Sequence, residues 1–301
     1  MSLSVRLGSV ELPNPILVAS GTFGYAKEMA GVVDLSRLGG VVPKTITVEP
    51  RAGNKPPRTV ETTAGLLNAI GLDNDGLDEF VAKKLPYLRT LRCPIIVSVA
   101  AKKIDDCAIF GERLSAEPGI TAVELNVSCP NVSGGVDYGT DPALCEKMTA
   151  AMRKSLKIPF SVKLSPNVTR IADIAKAAEA GGADMISATN TCYGLAVDWR
   201  RRRPRLGNGC GGFSGPAIKP ISLRCVWQIA QAVKLPIIGI GGISTVDDVF
   251  DFLVAGASAV EIGTANFYEP DVTTRILDAL PVEMEKAGIK NIADIIGTLE
   301  M

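Results

Sequence analysis

The chain has 301 residues, of which 47% are hydrophobic and 21% charged, a composition typical of a soluble globular protein able to bury its own core. Lysine plus arginine and aspartate plus glutamate each total 32, so the charge balance gives no reason to expect nucleic acid or a membrane surface as a partner. Histidine is absent, which excludes histidine-ligated metals and leaves Cys, Lys and carboxylates for proton transfer near neutral pH.

The seven cysteines have no C-x-x-C spacing, and their number is odd. This pattern argues against a disulfide framework and against a zinc or iron–sulfur site within the chain. Free thiols suit a reducing compartment. No signal peptide is visible, and no apolar run reaches the roughly 18 residues that a membrane span needs. We therefore expect a cytoplasmic protein with no bound metal and no membrane span.

Short apolar, β-branched runs recur along the chain and alternate with segments of helical period. Residues 5–12, before the first run, alternate weakly and suggest a hairpin that closes the bottom of a barrel. Apolar runs of four to eight residues are typical of parallel strands buried on both faces. The predicted strands are 15–20, 40–47, 94–100, 122–128, 159–165, 183–190, 236–242 and 257–264, and the clearest helices between them are 141–157, 170–180, 220–234 and 246–255.

Eight repeats of strand and helix predict an α/β protein with a (β/α)8 TIM barrel fold. A doubly wound open sheet is the weaker alternative, because it would more often have five or six strands. No low-complexity segment or linker interrupts the pattern, so we expect residues 1–301 to form one domain. Three long connections, 48–75, 129–140 and 191–216, each follow the C-terminal end of a strand, where barrel enzymes carry their active-site loops.

Two glycine-containing pairs follow the last two strands. Gly241-Gly242 and Gly263-Thr264 allow backbone N–H groups to approach an anion, and both precede helices, whose N-termini favour negative charge. The alternative is that each pair only forms a tight turn. Because the loops after strands seven and eight are the usual phosphate site of this fold, the two pairs together favour phosphate binding.

Lys44 and Lys163 lie inside otherwise apolar strands. A buried ammonium without an anionic partner is costly, so each side chain either reaches solvent beyond the barrel end or serves a function. We favour a function, because a cation near the N1 and O2 atoms of a flavin would stabilise the anionic reduced ring.

Cys129 follows the fourth strand and precedes Pro130 in a glycine-containing loop. A thiol with access to substrate acts as a base or an acid if its pKa lies near the working pH. The alternative, a small buried hydrophobe, is the usual fate of a free cysteine. We apply that alternative to Cys93, Cys107, Cys145 and Cys225, and leave Cys192 and Cys210 undecided.

Four asparagines occur in the long connections or in the strands that lead into them, namely Asn68, Asn126, Asn131 and Asn190. An amide offers donors and an acceptor and so suits a planar imide or a carboxylate, although asparagine also favours turns. The arginine-rich run at 200–205 is better explained as a solvated face or a contact with a partner protein than as a nucleic-acid site.

Together these motifs resemble the class 1 dihydroorotate dehydrogenases over nearly the whole chain. The most specific element is 126–131 (Asn-Val-Ser-Cys-Pro-Asn), in which serine instead of Cys129 would indicate the membrane-linked class 2 type. The pattern at 134–139 (Gly-Gly-x-x-Tyr-Gly) and the segment 206–220 look like the B type. The other matching elements are 19–24 (Ala-Ser-Gly-Thr-Phe-Gly), Lys44-Thr45, 68–72 (Asn-Ala-Ile-Gly-Leu), 212–217 (Gly-Phe-Ser-Gly-Pro-Ala) and the two glycine-containing pairs.

The resemblance implies that this chain binds FMN and oxidises (S)-dihydroorotate to orotate in pyrimidine biosynthesis, with Cys129 as the thiolate that removes the C5 proton while the C6 hydride passes to N5 of FMN. The FMN-binding residues that it implies are Ser20, Lys44, Thr45, Asn126, Lys163, Thr189, Gly215, Gly241, Gly242, Gly263 and Thr264. The implied substrate-binding residues are Lys44, Asn68, Ala69, Ile70, Gly71, Leu72, Asn126, Asn190 and Thr191.

The B type further implies a homodimer core inside a heterotetramer. The partner subunit would carry FAD and a 2Fe–2S cluster and pass electrons to NAD, and the lack of cluster cysteines here agrees with that division. Two features depart from the family pattern. Thr189 replaces an often apolar residue, so we expect only its backbone near FMN, and the run at 200–205 is unusually rich in arginine and has no assigned role.

Three alternatives remain open from the sequence. Two are enzymes, the fumarate-dependent A type and a dihydropyrimidine dehydrogenase-like reductase acting on uracil or thymine. The third is a flavin-binding assembly subunit without catalytic activity, against which the full set of polar loop residues argues.

Overall fold

The computed structural model describes residues 1–127 and 138–300. Eight parallel strands form one sheet in which strands consecutive in the chain are neighbours, and parallel bridges from Val41 to Ile95 and from Ile46 to Val99 join the second strand to the third. The sheet is thereby closed into the predicted barrel. Its strands are β1 (Ile16–Val18), β2 (Gly40–Val41), β3 (Ile96–Val99), β4 (Ala122–Asn126), β5 (Phe160–Leu164), β6 (Met185–Ala188), β7 (Ile237–Ile240) and β8 (Ala259–Ile262).

Helices separate the strands and pack against one another around the barrel. Between β1 and β2 the described chain forms only two 3-10 turns, Lys27–Met29 and Leu35–Arg37. A π-helical turn, Phe80–Lys84, joins the first two helices into one continuous segment. The helices are α1 (Gly76–Glu79), α2 (Leu85–Leu88), α3 (Ile104–Ser115), α4 (Pro142–Ser155), α5 (Ile171–Ala180), α6 (Lys219–Ala230), α7 (Val246–Val254), α8 (Ala265–Tyr268) and α9 (Val272–Lys286). The (β/α)8 prediction is confirmed.

The predicted hairpin before β1 also forms, with Val5–Leu7 paired antiparallel to Val10–Leu12. A Cβ atom placed on Gly8, in its turn, would lie 3.6 Å from the carbonyl oxygen of Asp184, just before β6. The hairpin therefore covers the N-terminal end of the barrel, opposite the end where the long connections lie.

Strand β2 is much shorter than the predicted span 40–47. It ends at Val41 because Pro43 has no N–H to give to a ladder of hydrogen bonds. The chain returns to the barrel at Ile46, whose N–H donates to the carbonyl of Ser98. This break places Lys44 and Thr45 at the C-terminal end of the barrel.

Two of the long connections meet in a second sheet, which the sequence patterns did not reveal. Four antiparallel strands pair in the order Cys192–Leu195, Cys210–Ser214, Gly65–Asn68 and Thr59–Thr62. We call this the loop sheet. Its own small hydrophobic cluster consists of Val60, Leu67, Ala69 and Leu206. The third long connection, 129–140, falls mostly outside the described residues.

Candidate active site

A cavity of about 450 Å³ opens at the C-terminal end of the barrel, between the strand ends and the loop sheet. Its lining includes all eleven residues that the resemblance implied for FMN: Ser20, Lys44, Thr45, Asn126, Lys163, Thr189, Gly215, Gly241, Gly242, Gly263 and Thr264. Residues that are up to 244 positions apart in the chain therefore share one cavity.

Most residues implied for substrate binding line the same cavity, namely Lys44, Asn68, Ile70, Gly71, Leu72, Asn126, Asn190 and Thr191. Ala69 differs, because its side chain is fully buried in the cluster beneath the loop sheet. Its carbonyl oxygen accepts a hydrogen bond of 3.1 Å from Asn54 Nδ2 and so fixes the loop. Cys129 and Asn131 lie outside the described residues.

Two asparagine side chains converge on the cavity from different strands. Asn126 is the last residue of β4, and Asn190 follows β6, where its N–H donates to the carbonyl of Leu164. Asn190 Nδ2 donates to Asn126 Oδ1 at 3.4 Å, while Asn190 Oδ1 accepts from the Thr191 N–H at 2.8 Å. These contacts fix the orientation of both amides, so that they present a defined set of polar atoms to a planar ligand.

Lys163 lies in the barrel interior with only 6% of its surface exposed, so the alternative in which it reaches solvent is wrong. Its ammonium group donates to Glu124 Oε1 at 3.3 Å and to Glu261 Oε2 at 3.1 Å. Burial alone would lower the pKa of Lys163, but the two glutamates outweigh it and raise the pKa above its usual value. The side chain therefore brings a positive charge to the cavity floor.

A chain of hydroxyl groups connects this buried cation to the cavity wall. Ser20 Oγ lies 3.1 Å from Thr45 Oγ1, which lies 2.9 Å from Ser98 Oγ, and Ser98 donates to Glu124 Oε1 at 3.2 Å. Sequence reasoning missed Ser98, Glu124 and Glu261. Both glutamates interrupt apolar strand runs just as Lys163 does, and that signal could have identified them.

Gly241 and Gly242, which follow β7, occupy positions where a side chain would not fit. Gly241 has a φ of 126°, and a Cβ atom there would lie 2.1 Å from Ser222 Oγ. Gly242 has a φ of 78°, and a Cβ atom there would lie 2.7 Å from the backbone nitrogen of Lys219. L-residues with side chains are strained in this conformation, so glycine keeps the backbone bare beside the cavity.

Helices follow both glycine-containing pairs, as expected, since α7 begins at Val246 and α8 at Ala265. Helix α7 is capped by its own acid, since Asp248 accepts hydrogen bonds from the N–H groups of Ser244 and Thr245. The segment after Thr264 is the single-turn helix α8. Both glycine-containing pairs line the cavity, so their backbone is accessible to an anion there.

Thr189 accommodates its departure from the family pattern through a neighbouring hydroxyl. Its Oγ1 lies 3.0 Å from Ser222 Oγ, and its N–H donates to the carbonyl of Ile240. Ser222 is fully buried, so the pair satisfies both hydroxyl groups inside the barrel wall.

Four cysteines have the structural role that was predicted for them. Cys93, Cys107, Cys145 and Cys225 are buried, and burial raises the pKa of Cys107 to about 12 and those of Cys93 and Cys145 to about 11. Thiols in such surroundings are poor nucleophiles and bases. Cys192 and Cys210 are half-buried on adjacent strands of the loop sheet.

The arginine-rich run forms an exposed tip of the loop sheet region. Its two short strands, Val197–Asp198 and Arg203–Pro204, pair antiparallel, and Arg200 lies over the ring of Trp199 at 4.5 Å. Arg200 through Arg203 are all exposed to solvent, as expected for a solvated face. Among the described residues that line the cavity, none belongs to this run.

In the part of the chain that the structure describes, no helix is long and apolar enough to cross a membrane. Over the same residues, no three His, Cys, Asp or Glu side chains are grouped in a way that could hold a metal ion.

Comparisons with known proteins agree on one family. The family model described as dihydroorotate dehydrogenase matches residues 2–284. A protein of Solidesulfovibrio magneticus is 50% identical over 300 residues, which cover 99% of this chain and 98% of the relative. A protein of Geotalea uraniireducens is 47% identical over 298 residues, with coverage of 99% and 98%. Both are named dihydroorotate dehydrogenase B (NAD(+)), catalytic subunit.

The fold has a solved counterpart in the crystal structure of a DHODH from Eimeria tenella in complex with ferulenol. It superposes with a TM-score of 0.81 at 24% identity, over 98% of this chain and 88% of that one. At this identity the match supports the fold alone. The sequence relatives and the family model decide the membership: the chain belongs to the dihydroorotate dehydrogenase family of flavin-dependent oxidoreductases.

Proposed function

We propose that the chain oxidises (S)-dihydroorotate to orotate, a step of pyrimidine biosynthesis, with FMN as its flavin. The observation that carries this proposal is the shared cavity, which is lined by two oriented amides, a buried cation and bare glycine backbone. The amides suit the imide and carboxylate of the substrate, and the glycine-containing pairs suit a phosphate. The names of the curated relatives support the same substrate.

The residues of the cavity fit a flavin that carries a phosphate. Gly241, Gly242, Gly263 and Thr264 would hold the phosphate group through backbone N–H groups, and Lys163 would face the part of the ring that becomes negatively charged on reduction. The remaining residues that we assign to FMN are Ser20, Lys44, Thr45, Asn126, Thr189 and Gly215.

Bound FMN supplies, at N5, the acceptor for the hydride that leaves C6 of the substrate. The chain itself binds and orients dihydroorotate through Lys44, Asn126, Asn190, Thr191 and the segment Asn68 to Leu72, in which Ala69 acts through its backbone. Cys129, as thiolate, takes the proton from C5. The carboxylate of the substrate is an anion, so the positive charge of Lys44 at the cavity wall assists its binding.

We further propose that the chain is a cytoplasmic protein and that residues 1–301 act as one FMN-binding domain. It would form a homodimer inside a heterotetramer, with a partner subunit whose FAD and 2Fe–2S cluster pass electrons to NAD. The words "catalytic subunit" and "NAD(+)" in the names of the relatives support a partner and this acceptor.

An anaerobic titration tests the proposal. The purified chain should be yellow, its released flavin should be FMN, and dihydroorotate should bleach the absorbance of the oxidised flavin. If uracil, thymine or their dihydro forms exchange electrons with the bound flavin while dihydroorotate does not, the substrate would be one of those pyrimidines instead of dihydroorotate. Reduction of fumarate by the chain alone would assign it to the A type instead of the B type. A purified protein without flavin would contradict the proposal as a whole.

A further inference from the structure

The charged groups of the barrel interior do not balance. Within the described residues, Glu124, Lys163 and Glu261 meet there, and we call them the buried triad. Both glutamates are fully buried, and Lys163 is 6% exposed. If every group were ionised, two carboxylates would face one ammonium, leaving a net negative charge without water around it. Such a charge is strongly unfavourable, and proteins avoid it by neutralising one of the groups.

The buried triad also has too few hydrogen-bond donors for its acceptor atoms. Each glutamate gives one oxygen to Lys163, at 3.3 Å and 3.1 Å. The other oxygens, Glu124 Oε2 and Glu261 Oε1, receive no hydrogen bond from a donor in the described part of the chain. Both carboxyl groups contact the same Nζ atom and are therefore neighbours, but ionised carboxylates can only accept hydrogen bonds. A proton between them would complete the arrangement.

The electrostatics agree with this geometry. Burial first, and then the charge of Glu124, raise the pKa of Glu261 well above its ordinary value, and Lys163 only partly opposes them. Glu124 Oε1 already accepts two hydrogen bonds, one from Ser98 and one from Lys163.

We propose that the buried triad holds one extra proton and is neutral overall. Glu124 and Glu261 are positioning residues. They keep Lys163 charged at the cavity floor and place no net negative charge beneath the reduced flavin. The existence of the extra proton is independent of the proposed function, whereas its effect on the flavin rests on it. The protonated carboxyl group carries no charge and donates a hydrogen bond, and it provides the second contact that positions Lys163.

The first experiment does not need the flavin. Infrared spectra of the purified chain near neutral pH, with and without deuterium exchange, should show the carbonyl stretch of a protonated carboxylic acid. Glu261→Gln should lose this band. Glu124→Gln should lose it too, because the one remaining carboxyl group then ionises to pair with Lys163. Glu285→Gln, at an exposed glutamate of α9, should keep it.

A wild-type spectrum without the acid band would overturn the proposal, and so would a band that persists in both triad variants. The wild-type measurement decides the first point even if a variant fails to fold. Because no flavin is involved, this result also stands if the chain proves not to bind FMN, so failure of the triad and failure of the proposed function are distinguishable.

The second experiment reads the charge beneath the flavin. At a fixed potential set with a reference dye, the ratio of reduced to oxidised flavin should change by less than about twofold in Glu124→Gln or Glu261→Gln, since each variant replaces a neutral triad by a neutral pair. If both glutamates were ionised, each single variant would remove a negative charge and raise that ratio on the order of tenfold. A rise of that size in both single variants contradicts the shared proton.

Discussion

Asn126 on β4 and Lys163 on β5 are direct partners in the register of the two parallel strands. Successive side chains on a strand point to opposite faces, so Glu124 and Asn126 share one face of β4. One strand therefore supplies both a positioning carboxyl group in the barrel interior and, one step nearer the C-terminal end, an amide at the cavity. The same face of β4 therefore connects the charged groups of the barrel core with the cavity.

The amide of Asn190 should contribute directly to substrate binding. Asn190→Ala removes one donor and one acceptor from the cavity, and a hydrogen bond to a charged ligand contributes about 1.5–3 kcal/mol. We expect kcat/KM for dihydroorotate to fall roughly 10- to 100-fold, with flavin content unchanged. Steady-state kinetics and the flavin absorbance measure both quantities. Asn208→Ala, at an exposed turn residue of the same long connection, is the matched control, and equal kcat/KM in the two variants would exclude the role.

Cys129 should matter for proton transfer and not for flavin binding. In Cys129→Ala the C5 proton has no base, so turnover should fall by about 10²- to 10⁴-fold while the bound flavin stays. Cys129→Ser should keep a part of the activity that increases with pH, because a hydroxyl is a much weaker acid than a thiol. Reduction of the flavin by dihydroorotate under anaerobic single-turnover conditions isolates this step. Cys210→Ser, at a half-buried thiol of the loop sheet, controls for loss of a cysteine, and wild-type turnover in Cys129→Ala would refute the assignment.

The sequence predicted the barrel because its eight strands are local events. Each strand is a short run of buried apolar residues, and the pattern survives errors of one or two residues at either end. Errors in the predicted strand bounds came from single residues. Pro43, for example, ends β2 after Val41, a boundary that the apolar run did not suggest. Positions at strand ends were also predictable, since every strand of a parallel barrel ends on the same side.

The loop sheet and the buried triad were not predictable in the same way. The strand Gly65–Asn68 pairs with Cys210–Ser214, so the pairing joins segments about 145 residues apart, and nothing local in either segment specifies the other. Glu261 acquires its role only from Glu124 and Lys163, which reach it from other strands of the closed barrel. Ala69 matched the family motif in sequence, but its side chain faces the cluster beneath the loop sheet rather than the cavity.

The phosphate assignment predicts a difference between two glycines. A Cβ atom on Gly263 would lie 3.5 Å from Ala19 Cβ and 4.0 Å from Thr22 Cγ2, which are ordinary contacts. Gly263→Ala should therefore fold normally but crowd the ligand, weakening FMN binding by roughly 10- to 100-fold, as 1–3 kcal/mol of overpacking would do. Titration of FMN fluorescence against the apoprotein measures the affinity, and thermal unfolding of the apoprotein measures the fold.

Gly241→Ala is the contrasting variant. Its φ of 126° and the 2.1 Å approach to Ser222 Oγ should destabilise the apoprotein itself by about 1 kcal/mol or more, in addition to weakening FMN binding. If Gly263→Ala bound FMN as tightly as wild type, the backbone after β8 would not hold the phosphate, and the assignment would be limited to the turn after β7.

Acid stability should depend on the cap of α7. Burial alone would raise the pKa of Asp248, but Lys219 and the N–H groups of Ser244 and Thr245 outweigh it and lower the pKa. A carboxyl group whose pKa is lower in the folded state stabilises the fold at pH values above its unfolded pKa of about 4, and this stabilisation is lost as the pH falls through the folded pKa. The free energy of unfolding of the wild type should therefore decrease below about pH 4, and Asp248→Asn should show a smaller decrease.

Urea unfolding of the two proteins across that pH range gives the comparison, with Asp247→Asn as the control. Asp247 is the exposed neighbour in the same first turn, so its replacement removes the same formal charge near the same helix N-terminus. Because Lys219 packs against Gly242, loss of its partner Asp248 should also loosen the turn that we assign to the phosphate. If Asp248→Asn and Asp247→Asn gave the same pH dependence, the hydrogen bonds of Asp248 would not account for the acid sensitivity, and the general charge of the helix terminus would explain it instead.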